Sequence, residues 1–306
     1  MANFATLKKS SGSLDRLSKE IEKLNAPASS EKKGDDRFWK LERDKSGNGS
    51  AVIRFLPPAA VDGDDALPWV RVFDHGFKGP SGKWYIENSL TTLNQKDPVS
   101  EYNSQLWNST DNDQSPQRKQ AREQKRRLHY VSNIYVVSDP KNPENEGKVF
   151  LYKFGKKIFD KLTSAMNPEY EGDKPLNPFD FWSGANFKLR SKMVAGYVNY
   201  DTSSFDTPGA LLDDDAQLEK IWKSEYSLKE VLDPKNFKSY DELKRKLEDV
   251  LGATLGTAEP SSTIEQTAVS SKPSFEPAKP RKSAADDVPF DTEDEDLNYF
   301  KGLADE

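Results

Sequence analysis

Two stretches of the sequence combine basic residues with aromatic rings. Segment 118–127 (RKQAREQKRR) holds six basic residues and one acid, a net charge of +5, and Tyr130 follows it. The second stretch interleaves lysines with rings: Lys148, Phe150, Tyr152, Lys153, Phe154, Lys156, Lys157, Phe159 and Lys161. Basic side chains contact phosphates and rings stack on unpaired bases, so this combination predicts a groove for single-stranded nucleic acid. The alternative is that the rings form a core and the charges face solvent, and the sequence does not sort every ring between the two.

Residue types that carry catalysis are scarce. Cysteine is absent and His75 and His129 are the only histidines, which excludes disulfides, thiol nucleophiles and cysteine-ligated zinc. The sequence has no glycine-rich phosphate loop, no GxSxG and no HExxH. The consecutive Asp213, Asp214 and Asp215 leave a metal-dependent nuclease as an alternative, although on an extended segment they point to alternate faces. We therefore predict no catalytic residues and no enzyme.

The elements that must position these residues form a mixed set, mainly β with added helices (α+β). Strand-like runs separated by turn residues lie at 51–56, 69–77, 83–87, 130–137, 148–154 and 185–200. They favour a small antiparallel barrel or sandwich. Apolar spacing predicts helices over 155–166 and over 239–251, the second opening with the capping box Ser239 and Glu242.

Composition divides the chain into four parts. A basic N-terminal arm (1–33) precedes a globular core (34–252), a flexible Ala/Ser/Thr/Pro-rich linker (253–283) and a disordered acidic tail (284–306). The tail has nine acids and one lysine, a net of −8, so the rest of the chain carries −6 + 8 = +2. The scaffold alternative makes this tail the active part. No apolar run reaches the roughly 18–20 residues of a membrane span, and the N-terminus lacks a signal-peptide core, so we expect an intracellular protein without a membrane partner.

Several whole phrases resemble one family. They are NGSAVIRFLP, HGFKGPSGKWYIE, YVSNIYVVSDPKNPENEGKVFLYKFGKKIFDK and GANFKLRSKMVAGYVNYD. These phrases are similar to the single-stranded DNA-binding proteins of T-even-type bacteriophages, over about residues 40–252. The resemblance implies an OB-fold core that binds single-stranded DNA cooperatively and with little regard for sequence, in replication, recombination and repair in the cytoplasm of an infected bacterial host.

The resemblance also implies partners for both ends of the chain. The arm would contact neighbouring copies along DNA, and Lys8, Lys9, Ser10 and Ser11 resemble its basic-plus-hydroxyl motif. The tail would recruit the phage DNA polymerase, the helicase loader and recombination proteins, with Phe290, Tyr299 and Phe300 as apolar anchors. It would also compete with DNA for the basic groove.

The family's groove positions fall on specific residues of this chain. They are Arg54, Lys78, Trp107, Tyr130, Tyr152, Lys153, Tyr197 and Tyr200. To these we add, as basic phosphate contacts, Lys125, Arg126, Arg127, Lys156 and Lys157. The family repeats its arm motif within the core before Tyr130, where this chain keeps the basic half and replaces the hydroxyls by Leu128 and His129.

The sequence departs from the family at the residues of the zinc site. The family's zinc site uses one histidine and three cysteines, and His75 occupies the histidine position. The cysteine positions fall approximately on Ser89, Asp97 and Ser100, and the two serines are poor zinc ligands. We therefore expect no cofactor, with His75 alone kept from the zinc ligand set, and packing around Trp84, Tyr85 and Tyr102 in place of the metal.

Overall fold

The computed structural model describes residues 35–63, 65–170 and 172–253. The predicted arm, linker and acidic tail, including Lys8, Lys9, Ser10 and Ser11, lie outside the described residues, except for Ala253. The chain divides into two compact units, Met1–Phe38 and Trp39–Glu306. In the described part of the first unit, the carboxylate of Asp35 accepts hydrogen bonds from the guanidinium of Arg37.

The described residues form nine strands and five α-helices, an α+β protein as predicted. The strands are β1 (Phe38–Trp39), β2 (Gly49–Phe55), β3 (Val70–Lys78), β4 (Trp84–Asn88), β5 (Arg127–Ser138), β6 (Val149–Phe154), β7 (Phe187–Val194), β8 (Tyr197–Asn199) and β9 (Ser204–Phe205). The helices are α1 (Pro98–Asn108), α2 (Pro116–Glu123), α3 (Lys156–Met166), α4 (Asp215–Lys223) and α5 (Tyr240–Leu251). Short 3-10 helices lie at Ala60–Asp62, Leu90–Leu93, Pro143–Asn145, Lys229–Leu232 and Pro234–Asn236.

Strand β5 organises the sheet because it pairs with three other strands, all antiparallel. Its first half pairs with β3, its second half with β2, and its middle with β6. Beyond β2 the sheet continues through β7 to β8, and β4 pairs with β3 at the other side. The sheet therefore places residues of β3, β5 and β6 side by side although they are far apart in sequence.

Two larger apolar clusters hold most of the described elements together, and a smaller third one joins Leu56, Phe181 and Leu218. The first one fills the main sheet and includes Phe55, Ile134, Phe154 and Leu162. The second cluster joins β3 and β4 to α1 and α5, and its members are Phe77, Tyr85, Leu90, Val99, Leu243, Leu247, Val250 and Leu251. We call the β4–α1–α5 region around this second cluster the helical lobe.

Local sequence explains where the predicted helices begin and end. Helix α5 starts at the Ser239–Glu242 capping box and ends at Gly252, whose φ of 68° is left-handed. Helix α3 buries Ile158 and Leu162 one turn apart. Helices α1, α2 and α4 were missed because α2 and α4 are shorter and bury one residue each, and the buried Pro98, Val99 and Asn103 of α1 form no apolar repeat. Side-chain caps from Asp97, Ser115 and Asp214 fix their first turns.

The long run at 185–200 is a hairpin rather than one strand. Ala195 and Gly196 both have positive φ, 53° and 85°, which is the backbone of a tight two-residue turn between β7 and β8. Strand β5 also begins three residues before the predicted start, because Arg127 pairs with Asp74 of β3. Among the helices described, none has the length and apolar character that crossing a membrane requires.

Candidate nucleic-acid interface

Strand pairing brings the two basic and aromatic stretches together. In the β5–β6 ladder, Tyr130 lies opposite Phe154 and Ser132 lies opposite Tyr152. Helix α3 follows β6 after one residue, so Lys156 and Lys157 stand at its first two positions. Stretches that are separate in sequence therefore form one continuous surface of β5, β6 and the start of α3.

Most of the predicted tyrosines lie in the core. Tyr130, Tyr152 and Tyr200 are 7%, 5% and 9% exposed and belong to the main apolar cluster. The ring of Tyr130 stacks on Phe159 with centroids 3.8 Å apart and planes at 4°. One face of that ring is therefore already covered, and in this conformation the three rings support the surface rather than stand open on it. Their burial does not match the predicted role of these three tyrosines as groove residues.

Tyr197 differs from the other tyrosines. It begins β8 at the end of the β7–β8 hairpin and is 44% exposed. The tight turn before it fixes the direction in which the ring leaves the sheet. Tyr197 is the predicted tyrosine whose ring is open to a base.

The lysines at the start of α3 oppose the usual charge preference of helices. A helix N-terminus carries partial positive charge and favours acidic residues, yet the first turn of α3 has no acid. Lys156 donates a hydrogen bond of 2.7 Å to Asp160 one turn later, and Lys157 is exposed. No side chain caps the first N–H groups of α3, so two lysines beside them favour an anion at this position. Lys78 is exposed at the end of β3.

Trp107 lies near the end of α1, beside two arginines of α2 that the site prediction missed. The guanidinium carbons of Arg118 and Arg122 lie 4.5 Å and 5.4 Å from the Trp107 ring centroid. Both arginines also approach Asp113. The basic run was the available signal for them, but only the fold of α2 against α1 shows that they cover this ring.

Arg54 is buried, so its predicted role as a phosphate contact does not match this conformation. Its Nη2 donates to the backbone carbonyls of Asp180, Phe181 and Gly209, at 2.9, 3.3 and 2.7 Å. The burial of the guanidinium lowers the pKa of Arg54, and nearby Asp180 works against that shift. Arg54 therefore joins loop segments on one face of β2.

Arg127 and Lys153 share one buried carboxylate, that of Asp74 on β3. Arg127 Nε lies 2.8 Å from Asp74 Oδ1, and Lys153 Nζ lies 2.6 Å from Oδ2. His129 Nε2 lies 3.2 Å from the same Oδ2. Burial opposes the charge of Asp74, but Lys153, His129 and Arg127 together hold its pKa well below the usual range. Residues 125 and 126 are half-buried, and Arg126 lies over the ring of Phe73 at 4.5 Å.

The positions that correspond to the family's zinc ligands form a hydrogen-bonded network that does not fit zinc. His75 Nδ1 lies 3.0 Å from the carbonyl oxygen of Gln124 and His75 Nε2 lies 3.2 Å from Asp97 Oδ1, so a protein oxygen lies against each ring nitrogen. Asp97 also accepts from the backbone N–H groups of Leu90, Val99 and Ser100. Ser89 accepts from Thr91 N at the start of a 3-10 helix. Tyr85 packs beside this network and stacks on Phe77.

The three aspartates considered for a nuclease do not converge. Asp214 caps α4 through Ala216 N, and Asp215 accepts a hydrogen bond of 2.9 Å from Trp182 Nε1. Asp213 is exposed. Within the described ranges, no group of three or more histidines, aspartates or glutamates is arranged to hold a metal ion.

An α+β fold that exposes Lys78, Lys157, Arg122 and the ring of Tyr197 is typical of a protein that binds a polyanion. A model of the family described as "gp32 DNA binding protein like" matches residues 47–251. Two relatives, each named "Single-stranded DNA-binding protein", support the match. The one from Enterobacteria phage T2 is 43% identical over 238 residues, 75% of this chain and 74% of the relative. The one from Enterobacteria phage T4 is 42% identical over 252 residues, 79% of each chain. The chain belongs to this family.

The family assignment confirms two predictions. The resemblance to T-even-type phage proteins is confirmed by the match and by both relatives. The relatives are named for binding and not for a catalysed reaction, so the chain is a binding protein rather than an enzyme.

Proposed function

We propose that the protein binds single-stranded DNA cooperatively, with little sequence preference, and coats unpaired DNA during phage replication, recombination and repair. The observation that carries the proposal is the family match, which spans every described candidate interface residue from Arg54 to Tyr200. The names of the phage T2 and T4 relatives support single-stranded DNA as the ligand.

The described surface suits a polymer of phosphates and unpaired bases. Lys157 and Lys78 are exposed, and Lys156 stands at a helix N-terminus. Tyr197 offers an open ring for stacking, which does not depend on base identity. Lysines that contact phosphates release bound counterions, so affinity should fall as the salt concentration rises.

The two ends of the chain complete the proposal. The basic arm, through Lys8, Lys9, Ser10 and Ser11, contacts the neighbouring copy along DNA. The acidic tail recruits the phage DNA polymerase, the helicase loader and recombination proteins, and competes with DNA for the lysines. The charge division of the sequence supports both roles, since the tail carries −8 and the rest +2.

We also propose that the protein has an OB-fold, works without zinc and lies in the cytoplasm of the host. The antiparallel sheet centred on β5 supports an OB-fold. The protein oxygen against each ring nitrogen of His75 supports a protein that works without zinc. The phage origin of the relatives supports the cytoplasm of an infected bacterial host.

Fluorescence titration with oligothymidine of increasing length, at two salt concentrations, tests the proposal. We expect affinity to increase with length beyond simple proportion and to decrease with salt. A chain ending at Ser283 should bind more tightly, and a chain lacking residues 1–33 should lose the length dependence. Absence of binding at low salt in both the full chain and the Ser283-truncated chain contradicts the proposal and favours the acidic-tailed scaffold.

Matched substitutions separate the interface from general surface effects. Tyr197→Ala should cost about 1–3 kcal/mol of binding free energy, the range for loss of one base stack. Tyr170→Ala is the control, because Tyr170 is also exposed but lies outside the candidate interface. Lys157→Gln should lower the salt dependence by about 0.7 in the slope of log K against log salt, whereas Lys220→Gln on α4 should leave it unchanged. If each interface variant had the same effect as its control, the DNA would bind outside the candidate interface.

A further inference from the structure

Asp74 is a carboxylate inside the candidate DNA interface that neither the sequence motifs nor the proposed function uses. It is 4% exposed, and its two oxygens lie within 2.8 Å of Arg127 and 2.6 Å of Lys153. Both cations are predicted phosphate contacts. Burying a carboxylate is unfavourable unless cations or donors compensate it, so the fold commits both side chains to this one group.

The backbone is arranged to permit this contact. Asp74 and Arg127 are direct cross-strand partners in the β3–β5 ladder. Gly76 lies two residues after Asp74, on the same face of β3. A Cβ at Gly76 would lie 2.3 Å from Nη2 of Arg127, so the absent side chain leaves room for the guanidinium. The pairing is therefore a feature of the strand geometry and not of one flexible side chain.

The three charged groups leave a single positive charge for a phosphate. Arg127 and Asp74 are nearly inaccessible, whereas the Lys153 side chain is 35% exposed. A lysine ammonium has three donors, and Asp74 accepts one of them from Lys153. The other two remain for solvent or a phosphate. Burial and the charge of Lys153 lower the pKa of His129, so near neutral pH it adds no charge.

We propose that Asp74 sets the net positive charge that Arg127 and Lys153 together present to single-stranded DNA. It holds the Lys153 ammonium at the surface of β6 and cancels one of the two positive charges that Arg127 and Lys153 bring. Asp74 thereby limits the electrostatic part of DNA affinity and its dependence on salt. The proposal rests on the proposed function, because it assumes that the phosphates of single-stranded DNA approach Lys153.

Three variants test this role, with oligothymidine as the probe and the slope of log K against log salt as the readout. Asp74→Asn keeps the shape and removes the negative charge, so the slope should steepen by about 0.7. Lys153→Gln removes one positive charge and should make the slope shallower by a similar amount. The double variant Asp74→Asn with Lys153→Gln has the same net charge as the native cluster, so its slope should return to the native value.

If Asp74 were needed only for folding, each variant would lower the fraction of protein that can bind DNA. It would not make the salt slope steeper in Asp74→Asn and native again in the double variant. Glu219→Gln on α4 is the control for net charge: it also removes one negative charge, but from an exposed carboxylate outside the candidate interface, and its slope should stay native. If the native protein binds and Asp74→Asn has the native slope, the role of Asp74 is wrong. If the native protein does not bind, the proposed function fails as well.

Thermal unfolding of each variant shows whether it is folded. Should Asp74→Asn not fold, Lys153→Gln and Lys157→Gln are compared directly in the same titration. Without Lys153, only Arg127 compensates the negative charge of Asp74 near the phosphates. Lys153→Gln should therefore weaken binding more than Lys157→Gln. An equal or smaller effect of Lys153→Gln overturns the proposal.

Discussion

Each of the two histidines of the chain faces a buried aspartate at 3.2 Å, yet the two pairs lie in different surroundings. His129 and Asp74 share their carboxylate with Arg127 and Lys153 at the candidate DNA interface. His75 and Asp97 lie in the helical lobe, where the other donors to the carboxylate are backbone N–H groups.

The comparison shows that a histidine–aspartate pair has different roles in the two surroundings. Where cations surround the carboxylate, the pair sets the charge that the surface presents. Where backbone groups surround it, the pair joins chain segments: Asp97 connects β3, the turn at Leu90 and the first turn of α1. The predictions below test this distinction through stability.

The largest expected effect is that of His75→Gln. It should lower the free energy of unfolding by about 3 kcal/mol, because it leaves the buried Asp97 carboxylate without the side chain that faces it. His129→Gln is the matched control and should cost about 1 kcal/mol or less, since Arg127 and Lys153 still compensate Asp74. Urea unfolding at pH 7 measures both. Equal losses would remove the distinction between the two pairs.

A third buried carboxylate is that of Glu225, which pairs with no histidine, lysine or arginine in the part of the chain that the structure describes. Both of its oxygens are buried without a hydrogen-bond partner among the described residues. Burial, and then the charge of Asp62, raises the pKa of Glu225 from 4.5 to about 9. The unfolded chain releases this proton first, so stability should fall as pH rises from about 4.5 towards 9.

Glu225→Gln should remove that loss. We expect the variant to be roughly 2 kcal/mol more stable than the native protein at pH 6 and nearly equal to it at pH 4.5, with the difference growing as the pH rises further. Urea unfolding across this range checks the trend. A constant difference between the two proteins would mean that Glu225 finds a partner when it ionises.

Acid should act on the lobe through Asp97. Burial opposes its charge, but the hydrogen bond and charge of His75, with the backbone N–H groups of Ser100 and Leu90, lower its pKa from 3.8 to about 2. Its contribution to stability is therefore complete above about pH 4 and is lost as pH falls to 2. The stability difference between the native protein and Asp97→Asn should shrink by about 2 kcal/mol over that interval. A difference that does not change with pH would mean that Asp97 is not ionised in the folded lobe.

The smallest expected effect is that of zinc. Because a protein oxygen lies against each ring nitrogen of His75, we expect zinc or a chelator to leave the melting temperature unchanged. Differential scanning calorimetry of the full chain measures this. A rise in melting temperature with zinc that His75→Gln abolishes would show that the network opens to accept the metal.

Local sequence determined the elements whose signals lie within a few neighbouring residues. The capping box at Ser239, the apolar spacing of α3 and the β-rich runs all gave elements of the expected kind. Short polar helices such as α2 escaped because their caps, and not an apolar face, define them. Long family phrases and the absence of catalytic motifs were enough to predict a DNA-binding protein and not an enzyme.

Tertiary structure decided which of the predicted site residues are open and what they contact. Asp74 meets Arg127 and Lys153 across 53 and 79 positions of sequence, because the register of β3, β5 and β6 aligns them. The same packing buries Tyr130 and leaves Tyr197 exposed, although the sequence analysis predicted both as groove residues. The composition of a stretch fixes which charges and rings it brings, whereas strand register and packing fix which of them meet and which of them solvent can reach.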